Sequence, residues 1–175
     1  MEITKEFEGL VRAENGDYVL KGDLICYEDL EIDLDDRLVV TGGVNVSGSI
    51  MCGDSLRARV IHADESIYVM NCISSYGSIS ADQSIRVGCH IESKKDIKAG
   101  WFLTAGGEIT ARGFIKACDC IIAGMNIEAG SFICAGKRIF AGIDPIENSK
   151  CCRNLITCAE LRSGEICYGE LYIRH

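Results

Sequence analysis

Every sixth residue from Ile67 to Ile139 is aliphatic: Ile67, Ile73, Ile79, Ile85, Ile91, Ile97, Leu103, Ile109, Ile115, Ile121, Ile127, Ile133 and Ile139, thirteen positions without a slip. The residue two further on is small or short, and in nine of the thirteen cases it is Ala. Neither a helix of period 3.6 nor a flat strand of period 2 produces this spacing. Short strands separated by corners do. Side chains alternate across a strand, so Ile points inward, the next residue outward and Ala inward again. Three such hexads close a triangular coil of about 18 residues, which stacks on its neighbours as a solenoid.

Upstream, the same spacing runs through Leu20, Cys26, Ile32, Leu38, Val44, Ile50 and Leu56. Ile61 then arrives one residue early, which predicts a small deletion at one corner. Gly follows the small inward residue directly at Gly88, Gly100, Gly106, Gly124, Gly130, Gly136 and Gly142, where a corner is expected to need freedom in φ. The predicted fold is all-β: a single-stranded, three-sided β-helix of about seven coils over residues 20–143. Residues 1–19 are expected to form a hairpin cap, with Phe7, Leu10 and Val11 on one arm, Tyr18, Val19 and Leu20 on the other, and Asn15-Gly16 at the turn. The hexad stops at Asp144-Pro145, since Pro cannot donate to a ladder. Residues 144–175 are expected to close the other end with one or two strands, making one folded unit.

Residues 18 apart share a face, which sorts the outward positions. The first face carries Tyr68, Arg86, Thr104, Ile122 and Phe140; the second Ser74, Glu92, Thr110 and Glu128; the third Ser80, Lys98, Lys116 and Cys134. Ile122 and Phe140 on adjacent coils form exposed apolar surface unless the tail folds back over them. Trp101, Phe102, Phe114 and Phe132 fall at corners. Contiguous apolar surface of this kind marks an interface, so Tyr68, Trp101, Phe102, Phe114, Ile122, Phe132 and Phe140 are one candidate binding set.

Composition adds little to this picture, and charge adds more. With 175 residues, 47% hydrophobic, and a single Pro, the chain suits one packed domain rather than a disordered segment. The start, MEITKEFEGLVRAENGD, has neither a basic nor an apolar signal region, and no apolar run reaches a membrane span of about 20 residues. The expected location is the cytoplasm. The eleven Cys are scattered and odd in number, which suits free thiols better than a secreted disulfide scaffold. The net charge of −8 is unevenly placed: residues 1–36 hold twelve acidic and three basic side chains (−9), and residues 37–175 fourteen and fifteen (+1).

Much of that acidity lies in Glu28, Asp29, Glu31, Asp33, Asp35 and Asp36. Glu31 and Asp33 are expected to face outward between inward Ile32 and Leu34, with Asp35 and Asp36 at a corner. Such a run is a solvated face, a docking surface for a basic groove built for nucleic acid, or a site for a hard cation, although the Gly and terminal Glu of an EF-hand loop are missing. No metal or other cofactor is expected. Cys151, Cys152, Cys158 and Cys167 contain no C-x-x-C pair, and neither does Cys118-x-Cys120. His62, His90 and His175 are the only imidazoles. His90 shares a corner column with Cys72, Glu108 and Asn126, a polar site to be tested against the structure. No phosphate loop, nucleophile elbow or zinc-protease motif occurs, and no catalytic residue is expected.

The stretch KDIKAGWFLTAGGEIT, with IIAGMNIEAGSFICAGKRIFAGI after it, resembles the I-x-A-G-x-x triangular β-helix proteins of bacterial mobile elements, over roughly residues 60–143. At the level of fold it is also similar to bactofilins, the polymer-forming bacterial scaffolds. It departs from them in its stricter hexad and its charged N-terminal segment. The resemblance implies an anti-defence inhibitor of the anti-CRISPR kind, and the bactofilin likeness implies self-assembly. The expected function is therefore a non-enzymatic protein-binding protein that docks through its acidic patch on a nucleic-acid-handling enzyme. The alternative is a self-assembling scaffold, with the C-terminal cap as the surface for homo-oligomers. Direct nucleic-acid binding has only Lys98 and Lys116 behind it.

Overall fold

The computed structural model describes residues 1–143 and 154–174. Among the described residues it has 25 strands and no helix. From Tyr18 to Ala141, short strands pass round a triangle and complete seven coils. Each strand pairs in parallel with its equivalents on the coils above and below. One column runs Ile67, Ile85, Leu103, Ile121, Ile139. The first and third faces join at the last of these coils. There the ten-residue strand Phe132–Ala141 rounds a corner without a break and pairs with both Ile115–Ala117 and Ile121–Ala123.

The two inward positions of each strand make the core. Ile79, Ile97, Leu103 and Ile115 are completely buried, as are Ala99, Ala105 and Ala123. Ser75 and Ser93 stand at the small inward position on the second face and are also buried. Their hydroxyls donate to corner carbonyls of the coil below, Ser75 to Arg59 at 2.9 Å and Ser93 to Gly77 at 2.7 Å. The hydrogen bonds offset the cost of placing a hydroxyl among Ile side chains.

The corner glycines have a different cause from the one their spacing suggests. Among those seven, only Gly142 has positive φ, at 91°. At Gly88, Gly100, Gly106, Gly124, Gly130 and Gly136, a Cβ would fall far inside contact distance of a backbone carbonyl on the coil below. Close stacking of one corner on the next excludes the side chain.

The first coil also differs in phase from the sequence reading. Its strands are Tyr18–Leu20, Leu24–Cys26 and Leu30–Ile32, so Leu20, Cys26 and Ile32 are second inward residues and the coil begins two residues earlier. The step from Leu30 to Leu38 is eight residues. This two-residue insertion is hidden in the sequence because both inward positions are apolar, so the distance from Ile32 to Leu38 is still six. Buried Leu34 pins the inserted corner. The expected deletion between Leu56 and Ile61 is present, with Leu56–Ala58 and Ile61–Ala63 separated by one residue fewer than elsewhere.

At the N-terminal end, Leu10–Arg12 pairs antiparallel with Tyr18–Leu20, and Gly16 turns the hairpin at φ 91°. Glu2–Ile3 lies parallel to Leu30–Ile32, with Ile3 completely buried. At the other end the tail is more than a cap. Leu155–Cys158, Glu160–Tyr168 and Glu170–Ile173 continue the same sheets in parallel, building an eighth coil and starting the next. The spacing of Ile156, Leu161, Ile166 and Leu171 is five, so the hexad ends although the solenoid does not. Asp144 and Pro145 lie outside the described residues.

Candidate functional site

The stacking offset on the first face is 20 residues from Glu31 to Met51, 17 from Met51 to Tyr68, and 18 thereafter. The insertion and the deletion account for the first two values. Parallel pairing of equivalent strands brings the acidic segment and the apolar face into one outward column: Glu31, Met51, Tyr68, Arg86, Thr104, Ile122 and Phe140. A shallow groove of about 730 Å³ runs over most of it, with Glu31 and Asp33 at one end, Met51, Tyr68 and Met70 next, Arg86 midway, and Phe102 and Ile122 at the other end.

The groove exposes apolar area that an isolated sheet face would not need. Met51 is 43% exposed, Tyr68 40% and Met70 74%; Phe102 and Ile122 are half-buried. The described residues of the tail, 154–174, do not fold back over this face: they stack on the end of the solenoid, where Tyr168 lies in register with half-buried Phe140. Cys52 also lines the groove. Its thiol is buried and pushed up to about 11, so it stays protonated near neutrality and is a packing residue rather than a nucleophile.

The acidic residues divide into two kinds. Asp35 accepts hydrogen bonds from Lys5 at 2.9 Å and from the Tyr18 hydroxyl at 2.9 Å. These contacts, Lys5 first, hold its carboxyl down to about 2. Arg12 pairs with Asp36 at 2.5 Å, reaches Asp35 at 3.7 Å, and lies over the Tyr18 ring. Asp29 caps a corner, accepting the Ser49 amide at 2.7 Å. Among the described residues, Glu28, Glu31 and Asp33 have no side-chain hydrogen bond or ion pair, and all three are exposed. Arg86 is likewise exposed and without an ion pair among the described residues. The charges available to a partner are therefore Glu28, Glu31 and Asp33 at one end of the groove and Arg86 in its middle.

The aromatic set divides too. Tyr68, Ile122 and Phe140 share the first face, with Phe102 at its edge. Trp101 stands on the adjoining corner, 58% exposed. Phe114 and Phe132 belong to another corner, between the second and third faces. There they stack at 5.0 Å and 10°, with the Arg162 guanidinium 3.7 Å over Phe132. That stack joins coils to the tail and does not adjoin the groove. Met51 and Met70 were missed by the sequence reading. An 18-residue offset carries Tyr68 back to Ile50, an inward residue, and only the one-residue slip brings Met51 under it.

Two polar constellations lie away from the groove. In the corner column, His90 Nδ1 accepts the Glu108 amide at 3.0 Å, Asn126 donates to Glu108 at 2.9 Å, and the Leu155 amide donates to Asn126 at 2.8 Å. This ladder ties coil to coil and commits each group to its neighbour. On the third face, His62 Nδ1 meets Ser80 Oγ at 2.8 Å and Nε2 meets Asp64 at 3.0 Å. A Ser–His–Asp order is present, but on an open sheet outside the groove, where every strand amide that might hold an oxyanion belongs to the ladder. Cys118 is exposed and Cys120 half-buried. The Cys120 thiol is pushed up by burial and by Asp119. Among the described residues no group of three or more His, Cys, Asp or Glu forms a metal site. Cys158 is buried and Cys167 exposed; Cys151, Cys152 and His175 lie outside the described residues. Among the described residues no helix is long and apolar enough to cross a membrane.

Comparison with family models, with curated proteins and with solved structures finds no match to this chain.

Proposed function

We propose that this solenoid is a non-enzymatic protein-binding protein that works in the cytoplasm and docks on a nucleic-acid-handling enzyme through the acidic end of its first face. The observation that supports this most is the continuity of one column, in which unpaired Glu31 and Asp33 run directly into exposed Met51, Tyr68 and Met70. Acidic groups beside apolar surface suit a protein groove that is basic because it holds nucleic acid: charge steers the encounter and apolar contact retains it. A rigid stack of coils also loses little conformational entropy on binding. Together with the resemblance of the repeat to mobile-element β-helices, this favours an inhibitor of the anti-CRISPR kind, which occupies the enzyme's nucleic-acid channel.

The test is charge reversal at Glu28, Glu31 and Asp33. The triple Lys variant should bind the enzyme at least about tenfold more weakly and with a flatter salt dependence. Unchanged affinity and salt slope would remove the acidic mechanism. Asp35→Lys is the informative contrast, because Asp35 already has Lys5 and Tyr18 as partners.

A second reading has its own support. The last described strand, Glu170–Ile173, leaves Leu171 40% and Tyr172 61% exposed, and Leu161, Ile166 and Ile173 are only half-buried. An apolar sheet edge of this kind favours end-on self-association, as in a bactofilin-like scaffold. Light scattering over a concentration series separates the two: growth of mass with concentration, abolished by Leu171→Lys, supports assembly, and a constant monomer mass removes it.

A further inference from the structure

We infer that the first-face groove takes an extended peptide segment of a protein partner with a defined charge order: a basic residue first, an acidic residue four positions later, and apolar residues between and beyond them. This rests on the docking reading above and specifies its ligand.

The groove spans six rungs, from Glu31 through Met51, Tyr68, Arg86 and Thr104 to Ile122. Five rung spacings of about 4.8 Å make a length of about 24 Å. An extended chain lying along the solenoid axis advances about 3.3 Å per residue, so about seven residues fill it. Alternate side chains face the groove, which selects the first, third, fifth and seventh. The first lies at Glu31 and Asp33, and its complement is Lys or Arg. The third, about 7 Å on, lies over Met51 and Tyr68, with Met70 alongside, and its complement is apolar. Arg86 is three rungs from Glu31, or about 14 Å, where the fifth residue falls. Its complement is Asp or Glu. The seventh reaches Phe102 and Ile122 and is again apolar.

The order along the groove follows from charges of opposite sign on one face, neither neutralised among the described residues, and the apolar end at Phe102 and Ile122 decides which end of the peptide lies beyond Arg86. Thioether side chains such as Met51 and Met70 adapt to differing apolar partners, so the charges define the order more strictly than the apolar positions define residue type. The even residues face solvent and are unconstrained.

The probes are two seven-residue peptides of identical composition, Lys-Ser-Leu-Ser-Glu-Ser-Leu and the charge-exchanged Glu-Ser-Leu-Ser-Lys-Ser-Leu, both acetylated and amidated. Trp101 is the single Trp of the chain, next to Phe102 at the edge of the groove, and its fluorescence reports occupancy. The full-length protein should bind the first peptide about tenfold more tightly than the second, which either sets both its charges against like charges or, entering in reverse, leaves Phe102 and Ile122 uncovered. The margin should shrink as salt rises. The protein with Glu31→Lys, Asp33→Lys and Arg86→Glu should reverse the preference, and Ile122→Asp should weaken both peptides. Equal binding of the two peptides, still lost in Ile122→Asp, overturns the charge order and leaves the groove as a docking surface. Binding of neither peptide at millimolar concentration overturns the inference and removes the groove as a peptide site, while the charge-reversal test on the enzyme still decides the acidic mechanism.

Discussion

The coils between Ile67 and Ala141 and those before Ile61 are built on one plan, but they differ in what departs from it. In the later coils the step is six throughout, and the small inward residue is mostly Ala. In the earlier coils the steps include an eight and a five, the inward pairs include Leu with Cys, Leu with Ile and Val with Val, and acidic residues stand at several of the corners. The regular coils supply a flat, rigid register. The irregular ones decide which side chains enter that register. Parallel pairing puts Glu31 in line with Met51 and Tyr68, and the insertion and the deletion are taken up in the corners between strands, so the groove acquires its acidic end at offsets of 20 and 17 rather than 18.

The contrast is broken most severely by attacking the regular core. Ile97 is completely buried and stacked in register between Ile79 and Ile115, and neighbouring coils cannot collapse into a hole. Ile97→Ala should lower unfolding free energy by about 3 kcal/mol, measured by denaturant titration. Gly106→Ala, where a Cβ meets the Gly88 carbonyl, should cost about 2 kcal/mol by forcing stacked corners apart. Substituting Gly16→Ala tests the other kind of glycine: its φ is 91° and nothing lies near its Cβ, so about 1 kcal/mol is expected from backbone strain alone. Ser93→Ala strips a buried corner of its hydroxyl, which donates to the Gly77 carbonyl and accepts the Lys95 amide at 3.1 Å. A loss of about 1–2 kcal/mol is expected.

The irregular end is sharpened by pH. The folded carboxyl of Asp35 is held at about 2, below its ordinary 3.8, by Lys5 and Tyr18. A depressed value means the unfolded chain takes up its proton first. The stabilisation is therefore complete above about pH 4 and is lost as pH falls towards about 2. Thermal melts of Asp35→Asn should show a flatter dependence across that window than the native protein. Lys98→Ala, on the exposed third face of a regular coil, should move stability by less than about 0.5 kcal/mol.

Much of the fold was legible because the hexad is a direct image of the coil: where Ile recurs at six, the outward residues sort onto faces without further information. What escaped was phase. Both inward positions of the first coil are apolar, so the shift of two residues left the spacing of Leu20, Cys26, Ile32 and Leu38 intact. The corner glycines were legible as corners, but their cause was not, since crowding by the coil below is a tertiary contact. Of the candidate site, the acidic segment and the first face were each visible, and their union was not. That union is read through offsets of 20 and 17, and the second of them places Met51 under Tyr68, whereas Met70 follows Tyr68 on the same coil and escaped because it stands at a corner. Phe114 and Phe132 look equivalent to Phe102 in the sequence and stand at a different corner. Asp35 and Asp36 look equivalent to Glu31 and are engaged by Lys5 and Arg12.

We propose the first face, entered from its acidic end, as the surface that meets a partner. It is tested most directly by titrating the partner enzyme against three proteins: the native chain, a first-face variant with Tyr68→Glu and Ile122→Glu, and a third-face variant with Lys98→Glu and Lys116→Glu. Tyr68 lies on the third coil and Ile122 on the sixth, Lys98 on the fifth and Lys116 on the sixth, and a thermal melt of each variant separates lost binding from lost fold. Binding lost in the first-face variant and retained in the third-face variant is the predicted result. Binding retained in the first-face variant and lost in the third-face one would mean that the partner meets the third face instead.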